Sequence, residues 1–272
     1  MRRWAGARLR SAPLLALALD KGPVDLRLVG RTLLRAALLG ALAGVVGAAF
    51  FWLSEHAAHW VLERGVGYRP LRAAGEELEG THAYETVYRP WLLAIVPALG
   101  ALLSGVLTAG VPAVRGGGTD AMIEAFHHHG GQLPARSIWR KALASIATLA
   151  TGGAGGREGP TMFIGGALGS WVADLMHTSE RERRLLLVAG AAAGISAVFR
   201  TPLGAALLAV EVLYRDGFES DALVPSILAS VVSYSVVISI FGESTLFGHL
   251  PRFPFHPAHL PLYALLALAV SL

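Results

Sequence analysis

Gly152-Gly153-Ala154-Gly155-Gly156-Arg157-Glu158-Gly159-Pro160 sets a carboxylate in a glycine-rich break between two apolar segments, Ala142 to Ala150 and Thr161 to Met176. Glycine lets the backbone approach a ligand closely, and Pro160 suits the first turn of a helix. A helix that begins there aims free N–H groups at whatever lies before it, which makes an anion site with its own acid attached. The surroundings decide how that acid is read. Hydrophobic residues make up 54% of the chain, charged residues only 15%, and mean hydropathy is +0.53, which is more apolar than an ordinary soluble domain. An ionisable group in a membrane-embedded chain is costly, so Glu158 reads as functional.

Outward from the break, the other apolar segments are Leu33 to Leu53, Trp91 to Val111, Leu185 to Phe199, Pro202 to Val212, Leu223 to Phe241 and Leu260 to Leu272. Only some reach the roughly 20 residues that a full span needs. The rest are short and interrupted by Gly or Pro, as broken helices are when they line an internal cavity. The expected fold class is therefore all-α integral membrane. Helices are expected over Leu28 to Arg64, Pro90 to Val111, Ala121 to His129, Ser137 to Thr151, from the break through Gly165, Gly166 and Gly169, then to Phe199, from Pro202 to Arg215, and over Asp221 to Phe241. The small residues of the break helix suit close helix packing. A second glycine cluster, Arg115-Gly116-Gly117-Gly118-Thr119-Asp120, puts Thr and Asp at capping positions and marks a second helix N-terminus.

Charge orients the chain. The first 35 residues carry eight Arg or Lys against Asp20 and Asp25, whereas Glu76, Glu77, Glu79 and Glu85 balance the arginines of the loop from Arg64 to Arg89. The positive-inside tendency then predicts a cytoplasmic N-terminus, residues 1–27, on a multi-pass protein of the cell membrane. No small-residue cleavage site precedes Asp20 and Lys21, so the run Ala12 to Leu19 reads as retained. With no cysteine there is no disulfide or thiolate metal site, and no aromatic-interleaved basic stripe points to nucleic acid. His127, His128 and His129 fan out over about 200 degrees on a helix and cannot face one metal ion together. The break lacks the Lys-Ser/Thr of a phosphate-binding loop. No cofactor is expected. Arg140 and Lys141, at the start of an apolar helix, read as interfacial anchors.

Three blocks carry a resemblance to a known family. Gly156-Arg157-Glu158-Gly159-Pro160, continued by Thr161 to Gly169, resembles the GREGP motif of the CLC chloride channels and chloride/proton antiporters. Gly190 to Phe199, Pro202-Leu203-Gly204 and Glu211 resemble that family's GAAAG...F..PL.G....E segment. The resemblance implies a bundle of tilted, broken helices built as two inverted repeats, assembled as a homodimer with one pore per subunit. Residues 28–242 correspond to the first repeat and residues 243–272 to a loop and the incomplete start of the second, so the chain reads as part of a longer protein.

The family roles, carried over to matching positions, give an outer chloride bound by the backbone N–H groups of Arg157, Glu158 and Gly159, with Glu158 as the gating carboxylate. The physics agrees, because a carboxylate competes with an anion for the same positive helix end. Gly116, Gly117 and Gly118 are the second anion-binding segment, where the family commonly shows GSGIP. Gly117 stands at the serine position, so a central anion loses a hydroxyl donor, replaced by water or by Thr119. Asp120, at the proline position, either caps its helix or adds negative charge near the inner entrance. Val212 follows Glu211 where many antiporters have a glutamate; Glu211 is the candidate proton-path residue, or else a structural partner of Arg200 or Arg215. The expected function is transport of chloride or a similar small anion, as a channel or by proton coupling. The competing class is a non-transporting membrane scaffold or half-transporter without a complete pore.

Overall fold

A computed structural model describes residues 26–70, 87–213, 220–242 and 256–271, which are helical with no strand among the described residues. Helix α1, Leu26–Ala58, continues into a π-helical segment, His59–Val66, stopped by Gly67 at φ 78°. Then come α2 (Leu92–Thr108), a 3-10 turn (Pro112–Val114), α3 (Thr119–His128), α4 (Arg136–Leu149), α5 (Glu158–Leu175), α6 (Glu180–Phe199), α7 (Pro202–Glu211), α8 (Ser220–Phe241) and α9 (Leu260–Ser271). Helix α7 stops at Glu211, short of the expected Arg215. The expectations placed on the basic N-terminal residues 1–25, on residues 71–86, on Arg215 and on residues 243–255 lie outside the described residues.

Helices α5 and α6 form the centre because their facing sides are almost bare of side chain. A Cβ on Gly165 would overlap the Gly190 carbonyl, one on Gly169 the Leu186 carbonyl, and one on Gly194 the Thr161 carbonyl. Backbone therefore packs on backbone, the close approach that small residues permit between membrane helices. Helix α6 also packs on α1 and α8, and α1 meets α8 through Gly40 and Gly44, which face the backbone of Ala229 and Ser233. Two buried hydroxyls cross the α6–α8 seam: Ser196 donates to the Ser230 carbonyl and Ser233 to the Ala193 carbonyl, each at 2.8 Å.

Around this centre sit the shorter pieces. Helix α2 packs on α4, α4 on α5, and α7 on α6 and α8. Two stretches, Gly30–Val66 and Asp221–Phe241, are long and apolar enough to cross a membrane by length and composition. Leu92–Thr108, Pro202–Glu211 and Pro257–Ser271 are apolar but shorter, as the sequence pattern anticipates.

Candidate functional site

Helix α5 starts inside the glycine break, with Arg157 as N-cap and Glu158 as its first residue. The Thr161 hydroxyl donates to the Arg157 carbonyl at 2.8 Å and to that of Glu158 at 3.1 Å, which fixes the first turn. The opening N–H groups of a helix have no partner within it, and Pro160 has none to give. No side chain caps this end, and none caps α3, whose N-cap is Gly118 at φ 98°. Helix α6, by contrast, is capped by Ser179, whose hydroxyl accepts from the Glu182 N–H. Helices α2, α4 and α7 also begin without a side-chain cap, so what sets the two starts at the glycine breaks apart is the cavity they share.

These starts lie against each other. A Cβ on Gly159 would come within 2.7 Å of the Gly117 carbonyl oxygen, and Gly118 packs on Phe163. Gly116 and Gly117 line one cavity of about 510 Å³ together with Gly155, Gly156 and Pro160. Helices α2 and α4 complete its wall with Ser104, Thr108, Lys141, Ser145 and Thr148, and no carboxylate lines it. Glu158 is exposed, and its carboxylate folds back over Gly156, in the space that a Cβ there would fill. The acid therefore rests beside the cavity without lining it.

The Arg157 side chain points elsewhere. Its guanidinium pairs with Glu55 of α1, which is buried, and sits 5.6 Å from the Phe51 ring centroid, so it clamps the start of α5 to α1. Glu211 ends α7 as an exposed residue, makes no ion pair among the described residues and does not line the glycine cavity. The structure does not bring it together with the other candidate residues.

Three expectations are corrected. Lys141 is no interfacial anchor: it is 2% exposed, and its ammonium donates to the carbonyls of Gly116 at 2.6 Å and Val114 at 3.4 Å. It holds the second glycine break from below. Asp120 does not cap α3, because Gly118 occupies that place; Asp120 lies exposed in the first turn, where its charge suits the helix dipole. Thr119 does not line the cavity and is no substitute for the missing hydroxyl. His127 turns to the Leu213 carbonyl, 2.7 Å away. Reading the sequence missed Glu55, Ser104 and Ser145. One usable signal was present: Lys141, Ser145 and Thr148 recur at i, i+4 and i+7, a polar stripe on an apolar helix.

Residues 100–272 match the family model described as voltage gated chloride channel. The chain belongs to that family. Among curated proteins of this kind, it is 32% identical over 244 residues to an H(+)/Cl(-) exchange transporter of Citrobacter koseri, covering 87% of this chain and 47% of that one. It is 28% identical over 208 residues to a chloride/fluoride channel protein of Pseudomonas syringae pv. tomato, covering 76% and 40%. Two solved structures share the fold: a slow cyanobacterial Cl-/H+ antiporter (TM-score 0.66, 23% identity, 87% of this chain and 53% of that one) and a CLC-type fluoride/proton antiporter (TM-score 0.69, 19% identity, 90% and 55%). The chain spans about half the length of the family relatives it matches.

Proposed function

We propose that residues 28–242 form the first repeat of a CLC-type anion transporter, with residues 243–272 leading into the second. Chloride, or a similar small anion, is solvated by the helix starts at Gly116, Gly117 and Gly118 and at Arg157, Glu158 and Gly159, and Glu158 gates its passage. One observation carries the reading: two helix N-termini without side-chain caps meet at one cavity that has a buried ammonium and no carboxylate in its wall. Helix N-termini favour anions. The names of the relatives, an H(+)/Cl(-) exchange transporter and a chloride/fluoride channel protein, support chloride as substrate, protons as co-substrate and fluoride as a second anion to test. All are transporters, and no covalent chemistry is proposed. The protein works as a multi-pass homodimer in the cell membrane with its N-terminus in the cytoplasm.

Reconstitution of the full-length parent protein in chloride-loaded liposomes tests this, with chloride efflux and internal pH recorded together. Chloride efflux is the expected result. Proton movement against its gradient marks an exchanger, and efflux without it marks a channel. Absence of anion flux overturns the transport reading and favours the scaffold.

A further inference from the structure

The glycine at position 117 leaves one wall of the cavity without a hydroxyl, although a Cβ there would meet nothing within 4 Å. Hydroxyls enter the cavity from the other walls. Thr148 on α4 and Thr108 on α2 are committed, donating to the carbonyls of Ala144 at 3.0 Å and Gly105 at 3.1 Å. Ser145 and Ser104 also line the cavity and make no hydrogen bond among the described residues, so their protons remain to be donated. Ser145 is 8% exposed. Its hydroxyl opens into the cavity, and a hydroxyl placed so is satisfied by what the cavity holds. Lys141 lies one helical turn before it, which adds positive charge to the same wall.

We propose that Ser145, assisted by Ser104, donates its hydroxyl to the halide in this cavity and so supplies the side-chain donor that Gly117 lacks. A hydroxyl can serve an anion from any wall that brings its hydrogen to the right distance. Moving the donor from the α3 start to α4 keeps one such bond while the glycine segment stays bare. The inference rests on the anion reading above, with Ser145 as a specificity-determining residue of that site.

Isothermal titration of sodium chloride into the full chain in detergent, with gluconate as the background anion, tests it without requiring transport. Ser145→Ala is expected to weaken chloride binding about tenfold, the range of a hydrogen bond to a charged group. Ser145→Thr keeps the hydroxyl and retains binding, and Ser104→Ala gives a smaller loss. Adding Gly117→Ser to Ser145→Ala restores binding, since the hydroxyl returns from the other wall. Melting of each variant in chloride-free buffer, matched to wild type, separates a lost ligand from a lost fold. Equal chloride affinity in wild type and Ser145→Ala overturns this assignment alone; a wild-type chain that binds no chloride overturns the anion reading beneath it.

Discussion

Lys141 holds the carbonyl side of the second glycine break, and its loss should be felt there first. Lys141→Met removes a charged donor from two carbonyls. The expected cost is about 2 kcal/mol of stability, read by chemical denaturation in detergent. A variant as stable as wild type would show that the contact is idle. At the other break, Glu158→Gln keeps the shape of the proposed gate but cannot ionise. It should abolish proton coupling and leave anion flux weakly dependent on pH; coupling that survives refutes the gating role. The place of Glu158 at a helix start was legible in the sequence, because the glycines before it and Pro160 after it mark that start. Lys141 was not, because Arg140 and Lys141 at a helix start look alike whether they face lipid or the interior. Packing separates them: Arg140 reaches the Ala109 carbonyl while Lys141 turns inward under Gly116.

Between elements, the seam of α5 and α6 tolerates no added atom. Gly165→Ala forces its methyl onto the Gly190 carbonyl and should destabilise the protein by about 1–3 kcal/mol. Gly105→Ala, in α2, meets nothing within 4 Å and should be neutral or stabilising by about 0.5–1 kcal/mol. Thermal melts of the two side by side check both, and equal shifts would contradict the packing account. The sequence marked one side of this seam through Gly165, Gly166 and Gly169, since repeated small residues suit close helix packing, whereas Gly190 and Gly194 on the other side stood out only as part of the family-like segment. It hid the clamp of Arg157 on Glu55, whose partners lie 102 residues apart, a distance over which helical periodicity carries no information. Removing Glu55, the buried partner of a partly exposed Arg157, as in Glu55→Ala, should cost about 1–3 kcal/mol, read by chemical denaturation. Helix starts were legible where glycine or proline marks them, at Glu158 and Pro202. The end of α7 was not, because the apolar run carries on past Glu211 without a breaker until Gly217.

The whole molecule presents apolar side chains outward, among them Leu34, Leu38 and Val45 on α1 and Leu99, Leu102 and Val106 on α2. Patches of this kind on a soluble monomer are uncommon. The chain should therefore stay with the membrane pellet through alkaline carbonate washing, and its release into the supernatant would contradict an integral placement. The backbone contact between α5 and α6 also limits how such a machine moves. Neither helix can tilt or slide past the other without backbone meeting backbone, so the gate proposed at Glu158, at the head of α5, would move as a side chain. Rotamer changes of exposed residues take picoseconds to nanoseconds, whereas shifts of whole helices take microseconds to milliseconds. On the proposed reading, opening would then not be the slow step, and the pace of transport would pass to the arrival and departure of the ions themselves.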